Sequence, residues 1–347
     1  MQVQTLLPIL FVCCDMGETN ALIPVMQKLQ EEKIEFKVLA MGAALAKLEG
    51  DSILKDRVIP VKEQVSTATN RAKPLEDVAA AIGTLQATVV ISGPASKAQE
   101  QILAAIPADK KIVYLDNFNY VTSSESFQTV KGVAKVAQKT ICVTRKVKQI
   151  LETPQGFFTD KNIKLLGRPS LENWVTQVNL VDRMKTAQKI GFNPDKSIVT
   201  IIGGYGPLYA QGVNDAYQQA TIRLEEAGYQ VHIQHHPNLV KDQPLTTIEA
   251  VGMADYVICY DSIAGFESLF AKKKVIFLQP ATVPLSDNDA IKEGLAPRVQ
   301  TAEELVQILD KVSGPQKDPY IVLGVREDST AAITQYLLKK AKITISK

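Results

Sequence analysis

A chain of 347 residues exceeds what one hydrophobic core usually supports, at roughly one domain per 150 residues, so two domains are expected. With 46% hydrophobic and 22% charged residues the composition is that of an ordinary globular enzyme, and no run approaches the ~20 apolar residues of a membrane helix. A net charge of +2, from 39 Lys and Arg against 37 Asp and Glu without a long basic run, argues against a nucleic-acid partner.

Residues 7–14 form a continuous apolar run that lacks the basic flank and small-residue cleavage site of a signal peptide, and it reads as a buried strand. Cys13, Cys14, Cys142 and Cys259 sit in or at the end of such runs without metal-type spacing, which fits free thiols in a reducing compartment, so a cytoplasmic location is expected. The polar loop Asp15-Met16-Gly17-Glu18-Thr19-Asn20 follows the first strand, and Leu22, Ile23, Met26 and Leu29 then recur at helical spacing. Thr19 is expected to cap that helix, and Asp15 or Glu18 to serve as a general base if the site is dry enough to raise its pKa.

Further apolar runs at 36–40, 87–92, 112–115, 141–144 and 163–166 alternate with helical stretches, which predicts a mainly parallel sheet covered on both faces. Asp116-Asn117-Phe118-Asn119-Tyr120 follows one of these strands and either lines an acceptor pocket or forms a polar turn. Residues 171–190 read as one long amphipathic helix joining the domains, stopped by Gly191 and Pro194.

A second series of strands is predicted at 197–202, 230–234, 256–259 and 275–278. Gly203-Gly204-Tyr205-Gly206 follows the first of these, and such glycines either let backbone amides cradle a phosphate or make a tight turn. All three histidines lie within five residues, His232, His235 and His236. His232 reads as a satisfied strand residue, and His236, at the strand end, is the candidate for phosphate binding or catalysis. No further ligands nearby suggest a metal. Asp261-Ser262-Ile263-Ala264-Gly265-Phe266-Glu267 opens a helix whose first turn can hold an anion, with Glu267 placed to accept from sugar hydroxyls; the alternative is a plain helix cap. Lys272, Lys273 and Lys274 are expected to complement the dipole at that helix's end. Residues 329–340 read as a final amphipathic helix, N-capped by Asp328 or Ser329, that folds back toward the first domain.

The stretches Gly17-Glu18-Thr19-Asn20, Leu166-Gly167-Arg168-Pro169-Ser170, His236-Pro237-Asn238, Ser262…Gly265…Glu267-Ser268-Leu269 and Pro284-Leu285-Ser286-Asp287-Asn288 follow one another in an order that resembles a known family. They are similar to the motifs of two-domain glycosyltransferases of the GT-B architecture and of the non-hydrolysing UDP-N-acetylglucosamine 2-epimerases that share it. The resemblance implies an α/β fold of two Rossmann-like domains facing a central cleft. The first domain, residues 1–170, would take the acceptor with Asn20, Asp116 and Asn117 on its side. The second, residues 171–347, would hold a nucleotide-diphosphate sugar. Carried over by position, His236, Gly204, Ser262 and Gly265 would hold the diphosphate, Glu267 the ribose, and Asp287 and Asn288 the sugar hydroxyls, with Gly203 and Gly206 of the glycine loop also on the donor side. Where many relatives have a catalytic histidine in the first loop, this chain has Glu18 and Asn20. The expected activity is metal-independent and cofactor-independent sugar transfer to a hydroxyl, and the architecture is compatible with a homodimer. A 2-epimerase, or a non-catalytic nucleotide-sugar-binding protein, is the rival expectation.

Overall fold

A computed structural model of the chain describes residues 6–61, 73–120, 125–152, 162–204, 206, 209–236, 239–240, 242–286 and 288–344. The chain forms two compact units, Met1–Ser170 with Val325–Lys347, and Leu171–Gly324. The last segment, which includes the final helix, therefore belongs to the first unit. Among the described residues no helix is long and apolar enough to cross a membrane.

The first unit runs β1 (Leu6–Cys13), α1 (Met16–Glu31), β2 (Phe36–Ala40), α2 (Gly42–Glu49), β3 (Val58–Pro60), α3 (Val78–Ile82), β4 (Gln86–Ser92), α4 (Lys97–Ala105), β5 (Ala108–Leu115), α5 (Glu125–Val136), β6 (Lys139–Cys142), α6 (Arg145–Glu152) and β7 (Ile163–Leu165). The strands form a seven-stranded sheet in the order β3-β2-β1-β4-β5-β6-β7, parallel throughout. Strands such as β1 are apolar at consecutive positions because both faces of the sheet are buried. On one face Leu10, Val12, Val90, Val113 and Leu115 pack with Ala98, Ile102 and Leu103 of α4 and Val130 and Val133 of α5.

The second unit runs α7 (Leu171–Asn179), α8 (Arg183–Lys189), β8 (Ile198–Ile202), α9 (Asn214–Glu226), β9 (Gln230–Gln234), α10 (Thr247–Met253), β10 (Tyr256–Cys259), α11 (Ile263–Phe270), β11 (Lys274–Leu278), α12 (Asp289–Lys292), β12 (Arg298–Val299), α13 (Ala302–Ile308) and α14 (Pro319–Leu323). Its five strands are ordered β12-β11-β10-β8-β9 and are again parallel. Val199, Ile201, Ile258 and Ile276 pack with Tyr217, Ala220 and Leu224 of α9 and Leu305 of α13.

The helix expected over 171–190 is two helices. Asp182 accepts a hydrogen bond from Lys185 N and so caps a new start, while Val181 fills the space above Gly252, where a Cβ would lie 2.4 Å from the Val181 side chain. Apolar spacing runs through the break and does not reveal it. The expectation is corrected for Lys273 and Lys274. Lys273 donates to the carbonyls of Gly252 (2.7 Å) and Ala254 (3.2 Å) at the end of α10, and Lys274 lies over the Tyr256 ring.

The final helix, α15 (Ser329–Ala341), packs on α1, β1 and β4 of the first unit. Its entry is locked by Gly167, whose φ is +83° and where a Cβ would fall 2.1 Å from Ser329 Oγ and 3.1 Å from the Arg326 backbone. Thr330 Oγ1 donates to Pro169 O, and Tyr114 Oη to Gly167 O. Gly167→Ala is therefore expected to destabilise the protein by roughly 2 kcal/mol or more, since the left-handed backbone and the close approach both resist a side chain. Urea unfolding with limited proteolysis of the C-terminal segment checks this; wild-type stability and protection would show that the contact is unimportant.

Candidate functional site

In a parallel sheet every strand-to-helix loop leaves at the strands' carboxyl ends, and the candidate residues occupy those loops in both units. In the first unit they follow β1 and β5, the two strands that flank β4. Asp15, rather than Thr19, caps α1: its Oδ1 accepts from Met16 N at 2.8 Å, and it forms a capping box with Glu18. Thr19 instead donates to Asp15 O.

Glu18 is 2% exposed. Its Oε1 accepts from Cys14 N at 2.7 Å, Asp15 N at 3.1 Å and Gln99 Nε2 at 2.6 Å. Its Oε2 has no hydrogen-bond partner and presses on Gly93, where a Cβ would lie 1.5 Å away. Only glycine at the end of β4 admits this carboxyl. Burial, with the charge of Asp15 and then of Asp116, pushes the Glu18 pKa up to about 8, against hydrogen bonds from Cys14 and Asp15 that favour the carboxylate. The first unit thus gathers Asp15, Glu18 and Asp116, with Asp15 and Asn20 half-buried and Glu18 sealed inside the turn. Asn117 is half-buried beside Asp116. Asp116 is held by Arg168, only 4% exposed, whose Nη1 donates to Asp116 O at 2.7 Å and lies 3.7 Å from its carboxylate. Sequence reasoning missed Gln99, Gly93 and Arg168 as members of this cluster. Ser96-x-x-Gln99 is a capping-box signature that marks the start of α4, but its contact with Glu18 spans the fold.

In the second unit the loops after β8, β9, β10 and β11 carry the expected donor residues. Gly203 N donates to Gln234 O at 2.8 Å, and a Cβ on Gly203 would lie 3.6 Å from His236 N, so the β8 and β9 loops run side by side. His236 is half-buried at this turn. His232 is satisfied as expected: its Nε2 pairs with Gln234 Oε1 at 3.0 Å, and burial lowers its pKa. Gly204 has a different reason from the expected phosphate approach. A Cβ there would fall 1.8 Å from the Tyr209 ring, so Gly204 makes room for a tyrosine. Tyr209 packs edge-on against Tyr260 at 5.8 Å, and its hydroxyl bonds the Asp261 backbone, which links the β8 and β10 loops. No local signal marks Tyr209 for this part. Gly206 has φ +105° with open space around its Cα.

Ser262 is the N-cap of α11, yet its side chain makes no capping hydrogen bond. Two residues into the helix, Gly265 lies where a Cβ would meet Cys259 Sγ at 2.1 Å, so α11 starts hard against the end of β10. Glu267 lies in the same helix, 5% exposed. Asn288, expected at the sugar, is 1% exposed and caps α12 through Ile291 N, with its Nδ2 unpartnered. Asp287, Pro237 and Asn238 lie outside the described residues. Among the described residues no group of three or more His, Cys, Asp or Glu side chains is placed to hold a metal.

Two parallel α/β units of this kind define the GT-B fold class. The chain is similar over its whole length to solved structures of that class. These include UDP-GlcNAc 2-epimerase from Methanocaldococcus jannaschii in complex with UDP-GlcNAc and UDP, with 10% identity over 95% of this chain and 99% of that one and a TM-score of 0.64. UDP-N-acetylglucosamine 2-epimerase from Rickettsia bellii matches at 11% identity over 97% and 96%, with a TM-score of 0.65. The wall teichoic acid polymerase TagF matches at 11% identity over 98% and 91%, with a TM-score of 0.59. No protein-family model matches the sequence, and no curated protein matches it. At these identities the likeness is one of fold.

The buried Glu18 gives stability a pH dependence. An acid whose folded pKa is raised from 4.5 to about 8 holds its proton more tightly when folded, so its contribution is complete below the unfolded pKa and is lost as pH rises through the folded one. Over that window it should cost on the order of 1.4 kcal/mol per pH unit. Glu18→Gln, which retains the acceptor oxygen, is expected to flatten the urea midpoint between about pH 5 and pH 8. An unchanged slope would mean that Glu18 is ionised in the folded protein.

Proposed function

We propose that the protein is a nucleotide-sugar enzyme that moves a sugar from a nucleoside-diphosphate donor to an acceptor hydroxyl. The observation that carries this reading is the start of α11. An N-cap serine whose hydroxyl is not used by its own helix stands at a helix N-terminus, in the β10 loop and two strands from His236. Free first-turn amides and the positive end of a helix dipole favour an oxyanion there.

In this reading the diphosphate lies against the α11 amides and the Ser262 hydroxyl, with Gly203 and His236 beside it, and Glu267 takes the ribose hydroxyls. Gly204 and Asn288 shape the site through Tyr209 and α12 without touching the donor. The bond from the anomeric carbon to the diphosphate breaks, the acceptor oxygen bonds to that carbon, and the acceptor proton passes to a carboxylate. Preorganised donors that meet the departing diphosphate contribute most of the rate. Asp15, the accessible carboxylate of the first unit, is assigned as base. Glu18, sealed behind it, positions the turn that carries it. Burial of all four free cysteines fits a reducing compartment and supports a cytoplasmic location.

A 2-epimerase is the second reading, and its support is that two of the three fold neighbours named above are UDP-GlcNAc 2-epimerases. Incubation with UDP-GlcNAc alone separates the two, because the epimerase yields the manno isomer without an acceptor. Binding without turnover of any donor across a panel of acceptors would leave a non-catalytic binding protein. Calorimetric titration with UDP tests the site itself. Ser262→Ala and Glu267→Ala are each expected to weaken binding about tenfold or more, the usual loss for a hydrogen bond to a charged partner. Unchanged affinity in both variants would remove the donor site from α11.

A further inference from the structure

The second feature lies at the amino ends of the first sheet, away from the loops described above, and is independent of the function proposed there. Lys110 of β5 pairs with Val89, Lys139 of β6 with Ile112, and Lys164 of β7 with Ile141. Paired residues share a face of the sheet, as do residues two apart on one strand, so these three lysines emerge on the same face. Asp109 and Lys111 fall on the other face, and Lys111 accordingly reaches Ala104 O at the end of α4. α15 starts at the carboxyl ends, where Thr330 meets Pro169, and runs back to deliver Lys339 and Lys340 in its last turn.

The five ammonium groups act on one another. Burial lowers the Lys340 pKa, and the charges of Lys139, Lys110, Lys339 and Lys164 lower it further. Lys110, Lys164 and Lys339 are exposed, Lys139 and Lys340 are half-buried, and exposed Lys342 follows them. Lys139 donates to Asn162 Oδ1 at 2.7 Å, and Lys340 lies 5.3 Å over the Tyr336 ring. Lysines in a last helical turn complement the helix dipole, which accounts for Lys339 and Lys340. It does not account for Lys110, Lys139 and Lys164, which come from three separate strands. Folding thus concentrates mutually repelling charge at one margin of a chain whose net charge is only +2.

We propose that this lysine margin docks the protein on an anionic lipid surface. An anionic lipid surface attracts each nearby lysine by about 1 kcal/mol, or about fivefold in affinity, and several clustered lysines multiply that gain. The cations named are all lysine. Lysine is a compact point charge suited to a diffuse anionic surface, whereas nucleic-acid sites favour the arginine fork and stacking aromatics. Tyr336 is half-buried beneath Lys340.

The test is co-sedimentation of the full-length protein with phosphatidylcholine vesicles, with and without about 30% phosphatidylserine, at about 50 mM and about 300 mM salt. Binding is expected only with phosphatidylserine and should fall at the higher salt. Lys164→Glu with Lys339→Glu should lower the partition coefficient at least about 25-fold, with an unchanged thermal melt because both side chains are exposed. If the double variant does not fold, Lys339→Gln should still give a loss of about fivefold. Equal binding to neutral vesicles, or full binding by the folded variant, overturns the proposal. So does displacement by inorganic phosphate at constant ionic strength, which would indicate a discrete phosphate site. Tighter binding of a single-stranded oligonucleotide than of the vesicles also overturns it, in favour of a nucleic-acid surface.

Discussion

A parallel strand can be followed by another in the same sheet only if the chain crosses back over a face, so every loop that leaves a strand leaves at one end. Both units obey this constraint, and it alone gathers the chemically interesting residues. Asp15, Gly93 and Asp116 come from loops far apart in the chain and meet because β1, β4 and β5 are neighbours. Gly203, His236 and Ser262 lie at one end of the second sheet because β9, β8 and β10 are adjacent in that sheet. The site is thus a property of strand order, with side chains chosen to exploit it.

Close approach at glycine then sets how near the helices come. Gly265 lets α11 begin against Cys259 and brings its positive end down to the sheet, whereas an alanine would lift the helix or displace the sulfur. Gly93 performs the complementary service in the first unit by admitting the Glu18 carboxyl. The two glycines produce opposite electrostatics. The second unit sets the amino end of α11 at the edge of its sheet, and the first buries a carboxyl near other carboxylates.

Much of the fold was legible in the sequence because its strands are buried on both faces and therefore apolar without alternation. The run at 36–40 matches β2 residue for residue, as 230–234 matches β9 and 256–259 matches β10. β3 and β12, of three and two residues, were not legible, since Val58-Ile59-Pro60 and Arg298-Val299 are too short and too interrupted to stand out as apolar runs. The break at Asp182 escaped because a polar cap inside an amphipathic pattern looks like one more residue of the polar face. Within the site, loop membership could be read and the roles of individual residues could not. Tyr209 over Gly204, Gln99 on Glu18 and Lys273 on the end of α10 are all contacts between segments distant in sequence, and nothing local encodes them. The lysine margin escaped for the same reason. Lys110, Lys139, Lys164 and Lys339 never form a run, and only strand register and the return of α15 bring them together.

The central claim is that the first turn of α11 receives a pyrophosphate. A crystal structure of the protein soaked with UDP-GlcNAc tests it most directly. The account predicts phosphate density on the Ser262 hydroxyl and the amides that follow it, with the ribose toward Glu267. Nucleotide bound elsewhere in the molecule, with the start of α11 left in contact with solvent alone, would contradict it.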